Sequence, residues 1–331
     1  MKKILIIQTA SIGDVILATA LPEKLHEKYP DAVIDILVKK GNETLFTGHP
    51  FLRSVLIRDK SLGKRKSFIS LLQQIYAEKY DHIINVQRYA FTALLTLFGG
   101  AGETSGFKGN LFSIFYKRSV THELNARGKQ HETERNQQLI SHLTGETPGK
   151  VALYPSQKAY AAVSGYKTQP YICIAPASLW FTKQFPKERW VEVLQQLPSH
   201  YHIYLLGGKS DHALCGEIIN TSGRENCLNL AGKLALLETA ALMQHAVMNY
   251  VNDSAPLHLA SAVNAPVAAV FCSTVTGFGF GPLSENSHII ETKKSLNCRP
   301  CGNHGHKECP EQHFDCAKSI DIDDFIKVIE V

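Results

Sequence analysis

Short apolar runs alternating with amphipathic stretches, in two successive series, constrain this chain more than any other feature. Residues 4–7 form an uninterrupted apolar run of strand length. Residues 14–28 follow, where Val15, Leu17, Ala18, Leu21, Leu25 and Tyr29 recur near helical spacing. A strand is predicted at 33–38, a helix at 67–77, a strand at 82–86 and a helix at 90–98. After a polar, Pro- and Gly-bearing stretch at 164–170 the series restarts. It gives strands at 171–174, 202–206, 248–251 and 267–271, with helices at 190–197, 235–245 and 256–263. This rhythm predicts an α/β chain built as two Rossmann-like, doubly wound domains, 1–167 and 168–331, facing each other across a cleft.

Composition narrows the functional classes. With 331 residues, 44% of them hydrophobic, two cores of ordinary domain size can form. Lys2, Lys3 and the triplet Ala18-Thr19-Ala20 imitate a secretory leader, but Gln8, Thr9 and Asp14 interrupt the apolar core a leader requires. No run reaches the 18 apolar residues of a membrane span. A cytoplasmic location is therefore expected, with peripheral contact at the inner face of the cytoplasmic membrane left open. Residues 1–168 carry 23 Lys+Arg against 14 Asp+Glu, whereas 169–331 carry 12 against 16, so the net +5 divides as +9 and −4. The N-terminal half favours an anionic partner, and Lys60, Lys64, Arg65 and Lys66 form its sharpest basic cluster. Nucleic acid is not expected, since no nucleic-acid module is present and the pI is 8.6.

In open α/β sheets ligands bind beyond the carboxyl ends of strands, which directs attention to four loops. In Gln8-Thr9-Ala10-Ser11-Ile12-Gly13-Asp14, Gly13 is expected to permit a tight turn, and Asp14 to sit at a helix start, where the dipole favours a carboxylate. The pattern is not G-x-G-x-x-G, so a dinucleotide is not expected, and a cleft-facing carboxylate suits a general base instead. The loop at 175–186 combines Ser178, Thr182 and Lys183 before Pro186, which fits a phosphate site made of hydroxyls and a cation. Gly207-Gly208 would let a ligand approach the backbone, a weak signal because glycine pairs are common in loops. Most informative is Asn252-Asp253-Ser254-Ala255-Pro256-Leu257-His258. A capping residue with Pro256 in the first turn leaves helix N–H groups for an anion, with His258 one turn further on the same face.

S-I-G-D-V near the N-terminus, T-K-Q-F-P at 182–186 and N-D-S-x-P-x-H-L-A-x-A near residue 260 resemble glycosyltransferase family 9, the ADP-heptose:lipopolysaccharide heptosyltransferases. The resemblance runs the length of the chain. It implies a GT-B fold and sugar transfer with inversion, from a nucleotide-diphosphate sugar to a lipopolysaccharide core or other lipid-linked anionic saccharide. ADP-heptose is the favoured donor. It further implies that Asp14 is the catalytic base and that Lys183 meets the donor phosphates. Asp253, Ser254, Ala255 and His258 then open the donor-binding helix, and Ser178 lies on the diphosphate. Ser11, Gly13 and Arg88 fall to the acceptor. Two positions depart from the family: Ala255 stands where glycine is usual and Gln8 where lysine is frequent.

No metal is expected to be required for this chemistry if protein cations stabilise the leaving diphosphate, and Asp321-Ile322-Asp323 is read as the cap of a terminal helix. The segment 298–316 stands apart. Cys298, Cys301, Cys309 and Cys316, interleaved with His304, His306 and His313, start with C-x-x-C and suit a structural zinc, against reduced or pairwise oxidised thiols. Two other functions share the fold: a sugar-nucleotide epimerase, which needs acid and base beside the sugar but no acceptor, and a noncatalytic nucleotide-sugar binding protein.

Overall fold

Strand β1 (Lys3–Ile7) is buried without alternation from Ile4 to Ile7, the mark of a parallel strand covered on both faces. The computed structural model describes residues 1–329. By its internal contacts the chain divides into two compact units: residues 1–123 with 130–154, and residues 124–129 with 155–331.

The first unit holds β1, β2 (Val33–Lys39), β3 (Leu52–Arg58), β4 (His82–Asn85), β5 (Glu103–Phe107) and β6 (Arg118–Val120) in the order β3-β2-β1-β4-β5-β6. All neighbours are parallel. The second unit holds β7 (Tyr171–Ala175), β8 (His202–Leu205), β9 (Cys227–Asn229), β10 (Met248–Asn252), β11 (Val267–Phe271) and β12 (Ser287–Glu291). They are ordered β12-β11-β10-β7-β8-β9, again all parallel. Counted from its own first strand, each sheet has the doubly wound order 3-2-1-4-5-6. These are two parallel six-stranded sheets of the α/β class, as the alternation of apolar runs predicts.

The stretch 14–28, expected as one helix, is two: Ile12–Leu17 and Ala20–Lys28. Pro22 supplies the reason. It has no N–H to give the Ala18 carbonyl and is tolerated only in a first turn, so a new helix begins at Ala20. The Thr19 hydroxyl, donating to the Ile16 carbonyl at 2.6 Å, completes the break. Gly13 is also not a turn residue. It is buried as the second residue of the first helix and has no left-handed φ.

The core of the second unit forms around an aromatic group. Phe185 lies 5.1 Å from Trp190 and 5.3 Å from Phe325, ring centre to ring centre, and Tyr250 lies 5.5 Å from Phe325. Phe185, Trp190, Tyr250 and Phe325 are all fully buried. Phe185 thus fastens the chain two residues after Lys183 into the interior, and Pro186 opens the helix Lys187–Gln196. The aromatic and proline of T-K-Q-F-P are anchors for the lysine. Among the described residues no helix is long and apolar enough to cross a membrane.

Candidate active site

A sheet of order 3-2-1-4-5-6 reverses its winding between the first and fourth strands, and its ligand crevice lies beyond their carboxyl ends. Those strands are β1 and β4 in one unit, β7 and β10 in the other. Asp14 follows β1, Arg88 follows β4, Ser178 and Lys183 follow β7, and Asp253 to His258 follow β10.

In the first unit, buried glutamines join the ends of the switch-point strands. Gln8, 3% exposed, accepts through Oε1 from the Ala10 N–H at 3.2 Å and from the Gln87 side-chain amide, and the Gln87 N–H donates to Asn85 Oδ1 at 2.9 Å. A lysine at position 8 would place its cation in this buried contact; glutamine closes it with neutral amides. Asp14, in the first turn of its helix, is partly exposed. Its Oδ2 accepts from the Ser11 N–H at 3.2 Å and from the Ser11 hydroxyl, while among the described residues Oδ1 has no hydrogen-bond partner. One oxygen orients the carboxylate and the other is left to accept a proton. Ser11 and Arg88 are exposed.

The second unit brings Lys183 and Asp253 together, which no sequence spacing announces. Lys183 Nζ lies 2.7 Å from Asp253 Oδ2, the side chains being 16% and 7% exposed, and the Thr274 hydroxyl donates to the same oxygen at 2.6 Å. Beside this pair, Ser254 occupies the N-cap of the helix Ala255–Ala262 without a side-chain capping bond; its Oγ instead donates to the Asn252 carbonyl at 3.4 Å. Among the described residues the Ser254 and Ala255 N–H groups have no acceptor, and Pro256 has no N–H, so the helix start presents unpaired donors and a positive dipole end. His258 is buried at 5% exposure on the second turn. Ser178 is partly exposed and makes no side-chain hydrogen bond among the described residues. A lysine oriented by its carboxylate partner and amides without acceptors, at neighbouring strand ends, are the donor types that a phosphate site uses.

Residues 68–314 match the family model of Glycosyltransferase family 9 (heptosyltransferase). The chain belongs to this family. Lipopolysaccharide heptosyltransferase 3 of Escherichia coli K12 is 29% identical over 289 residues, 83% of each chain. Among solved structures, a family 9 glycosyltransferase from Veillonella parvula aligns with a TM-score of 0.82 at 21% identity, over 99% of this chain and 96% of that one. The E. coli ADP-heptose lipopolysaccharide heptosyltransferase II aligns at 0.78 and 21%, over 100% and 98%. The fold of this family 9 glycosyltransferase is accordingly GT-B.

Two site residues escape sequence reasoning. Asn252, 0% exposed, accepts from the Phe185 N–H at 3.0 Å and donates to the Pro176 carbonyl at 2.8 Å, tying both ends of the lysine loop to the end of β10. It opens the motif N-D-S-x-P, and an amide side chain directly after the strand at 248–251 is the sequence signal that marks it. Thr274 lies beyond β11, in a loop without a motif. The Gly207-Gly208 loop holds no open cradle, because the Asp211 carboxylate fills it and accepts from the Gly208 N–H at 2.8 Å.

The structural zinc is not supported. Among the described residues no three His, Cys, Asp or Glu side chains are arranged to hold a metal ion. Cys316 is buried in the core of the second unit, where desolvation pushes its thiol up to about 11, and Cys301 is raised as well. Cys298 Sγ instead lies 3.8 Å from His313 Nε2, and all eight cysteines are free thiols.

A basic and apolar face occupies the first unit. Lys64, Arg65, Phe68 and Ile69 from the helix Lys64–Glu78, with Phe91 and Leu94 from the helix Ala90–Phe98, line an open groove of about 340 Å³. Ile69, Phe98, Leu111, Ile114 and Phe115 are exposed in the same unit.

Proposed function

We propose that this family 9 enzyme is an inverting heptosyltransferase, which moves heptose from ADP-heptose to a lipopolysaccharide core or lipid-linked anionic saccharide. The donor belongs in the second unit and the acceptor in the first. The observation that carries the reading is the Lys183–Asp253 pair beside the uncapped start of the helix Ala255–Ala262, at the ligand-binding end of the switch-point strands. The names of the relatives, heptosyltransferases acting in lipopolysaccharide synthesis, supply the sugar and acceptor class.

In this chemistry a sugar hydroxyl attacks the anomeric carbon as its proton passes to Asp14. The new C–O bond forms on the face opposite the leaving group, the bond from the anomeric carbon to the phosphate oxygen breaks, and the nucleoside diphosphate departs with the bonding pair. General-base assistance is worth about 10²–10⁴ in rate. Lys183 and the amides of Ser254 and Ala255 are fixed before the charge develops, so they stabilise the leaving diphosphate without reorganising. His258 serves the same anion from the second turn, and Ser178 lines it. At Ala255 a methyl group replaces the hydrogen usual in the family, while the amide remains a donor. Ser11 and Arg88 serve the acceptor, whereas Gly13, buried in the first helix, packs and does not touch it. No step calls for a metal.

The +9 excess of residues 1–168 and the groove rimmed by Lys64 and Arg65 support a working place in the cytoplasm, at the anionic inner leaflet where a lipid-linked acceptor resides. The test is incubation of the protein with ADP-heptose and a heptose-deficient lipopolysaccharide core. One heptose is expected in the product, with the anomeric configuration inverted on NMR analysis. ADP-heptose isomerised without acceptor would instead support the epimerase reading.

A further inference from the structure

The Cys-rich segment has no place in the chemistry above, yet it is hydrogen-bonded to both sides of the lysine site. On one side lies Thr182, next to Lys183 and 1% exposed. The Thr182 N–H donates to the His306 carbonyl at 3.1 Å, and the His306 N–H donates back to Thr182 Oγ1 at 2.7 Å. Gly305 packs beneath the lysine stem so closely that a Cβ there would lie 2.9 Å from Lys183 Cγ and 3.1 Å from Thr182 Oγ1. On the other side lies the loop after β11. Arg299 donates to the carbonyls of Cys272 at 2.8 Å, Thr274 at 2.9 Å and Phe271 at 3.1 Å, with its charge met by Glu291 at 2.5 Å. Thr274, held there, gives its hydroxyl to Asp253. Ser273 joins the two sides, its hydroxyl donating to Thr182 Oγ1 at 3.1 Å and its carbonyl accepting from the Cys301 N–H at 2.8 Å.

We propose that residues 299–306 are a positioning clamp for the Lys183–Asp253 pair, acting through Thr182 on the lysine and through Thr274 on the carboxylate, and so set affinity for the diphosphate of the donor. The proposal rests on the donor-site reading above. Thr182 and Arg299 are positioning residues, since neither needs to touch the donor. The cysteines fit this role without a metal. Cys316 and Cys309 fasten the far end of the segment to the core of the second unit, leaving residues 299–306 to carry the clamp.

Calorimetric titration of ADP, GDP and UDP into the whole protein tests it, using the tightest of the three. Thr182→Val keeps the shape but removes the acceptor of two bonds, and about a tenfold weaker nucleotide affinity is expected, or 1.4 kcal/mol. Thr182→Ser, which retains the oxygen, is expected within twofold of wild type. Gly305→Ala, whose methyl would meet the lysine stem and whose left-handed φ of 78° strains the turn at 302–306 as well, displaces the same clamp, is expected to weaken binding in the same direction and carries the test if Thr182→Val does not fold. Val193→Ala, a cavity in the core of the second unit, is the control that lowers the melting temperature while leaving affinity unchanged. Wild-type affinity in Thr182→Val or Gly305→Ala overturns the clamp alone, as does an equal loss in Val193→Ala. A wild-type protein that binds none of the three nucleotides overturns the donor reading, and the clamp with it.

Discussion

Replacing Lys183 with methionine removes an ammonium group 2.7 Å from a carboxylate that is only 7% exposed. Asp253 then retains the single hydroxyl bond from Thr274. Breaking a buried pair from one side costs about 3–5 kcal/mol, and the 16% exposure of Lys183 places this one nearer 2–3 kcal/mol. For a domain of this size 1 kcal/mol is about 2–4 °C, so the melting temperature should fall by roughly 5–10 °C. Adding Asp253→Asn removes the stranded charge, and the double variant should return to within about 1 kcal/mol of wild type. Transfer should not return with it. Losing one preorganised donor at a developing anion costs about 10²–10³ in kcat, in the single and the double variant alike. Calorimetric melting and steady-state transfer at saturating acceptor measure the two quantities separately. A double variant as unstable as the single one refutes the stability argument. One that regains rate together with stability refutes the role of Lys183 at the leaving group.

Asn252→Ala leaves the Phe185 N–H and the Pro176 carbonyl unpaired, at a cost of about 2–4 kcal/mol, and should raise the donor KM more than the acceptor KM; equal changes would contradict its loop-holding role. Glutamate at Lys64, Arg65 and Lys66 together should abolish co-sedimentation with anionic liposomes while leaving nucleotide affinity intact, and unchanged sedimentation removes the lipid-facing reading. His49, 7% exposed and 3.5 Å from Glu23, is held by burial down to about 4 from an ordinary 6.5. The unfolded chain takes up this proton first as pH falls. Stability is therefore complete above pH 6.5 and declines towards pH 4, by up to about 3 kcal/mol, with the upward shift of Glu23 offsetting part of the loss. His49→Gln should flatten the dependence of melting temperature on pH across that window, and an unaltered slope would count against it.

Much of the fold is legible because parallel strands buried on both faces must be solidly apolar. Residues 4–7, 171–174 and 267–271 announce themselves on that ground, and the helix Ala90–Phe98 by its apolar content between Tyr89 and Gly99. The strands that sequence reasoning misses are those freed from that requirement. β3, β6, β9 and β12 lie at the sheet edges, where Arg53, Arg58 and Arg118 are tolerated. β5 is missed for another reason: it is interior and buried but reads Glu-Thr-Ser-Gly-Phe, and at Gly106 a side chain is excluded because Tyr116 packs 2.4 Å from where its Cβ would stand.

Within the candidate site, residues in a motif were visible and those acting at a distance were not. Lys183 and Asp253 are 70 positions apart in the chain and meet only because β7 and β10 are neighbours. Thr274 and Arg299 were invisible for the same reason. Gly13 and the Gly207-Gly208 pair show the opposite error, since glycine signals close packing as readily as a ligand's approach.

On the reading proposed above, Asp14 takes the proton of the attacking hydroxyl. Asp14→Asn, with near-identical shape and the Ser11 contacts available, tests it most directly through the single-turnover transfer rate at saturating donor and acceptor. A fall of about 10²–10⁴ is expected, with nucleotide affinity unchanged. A rate within a few-fold of wild type would contradict it.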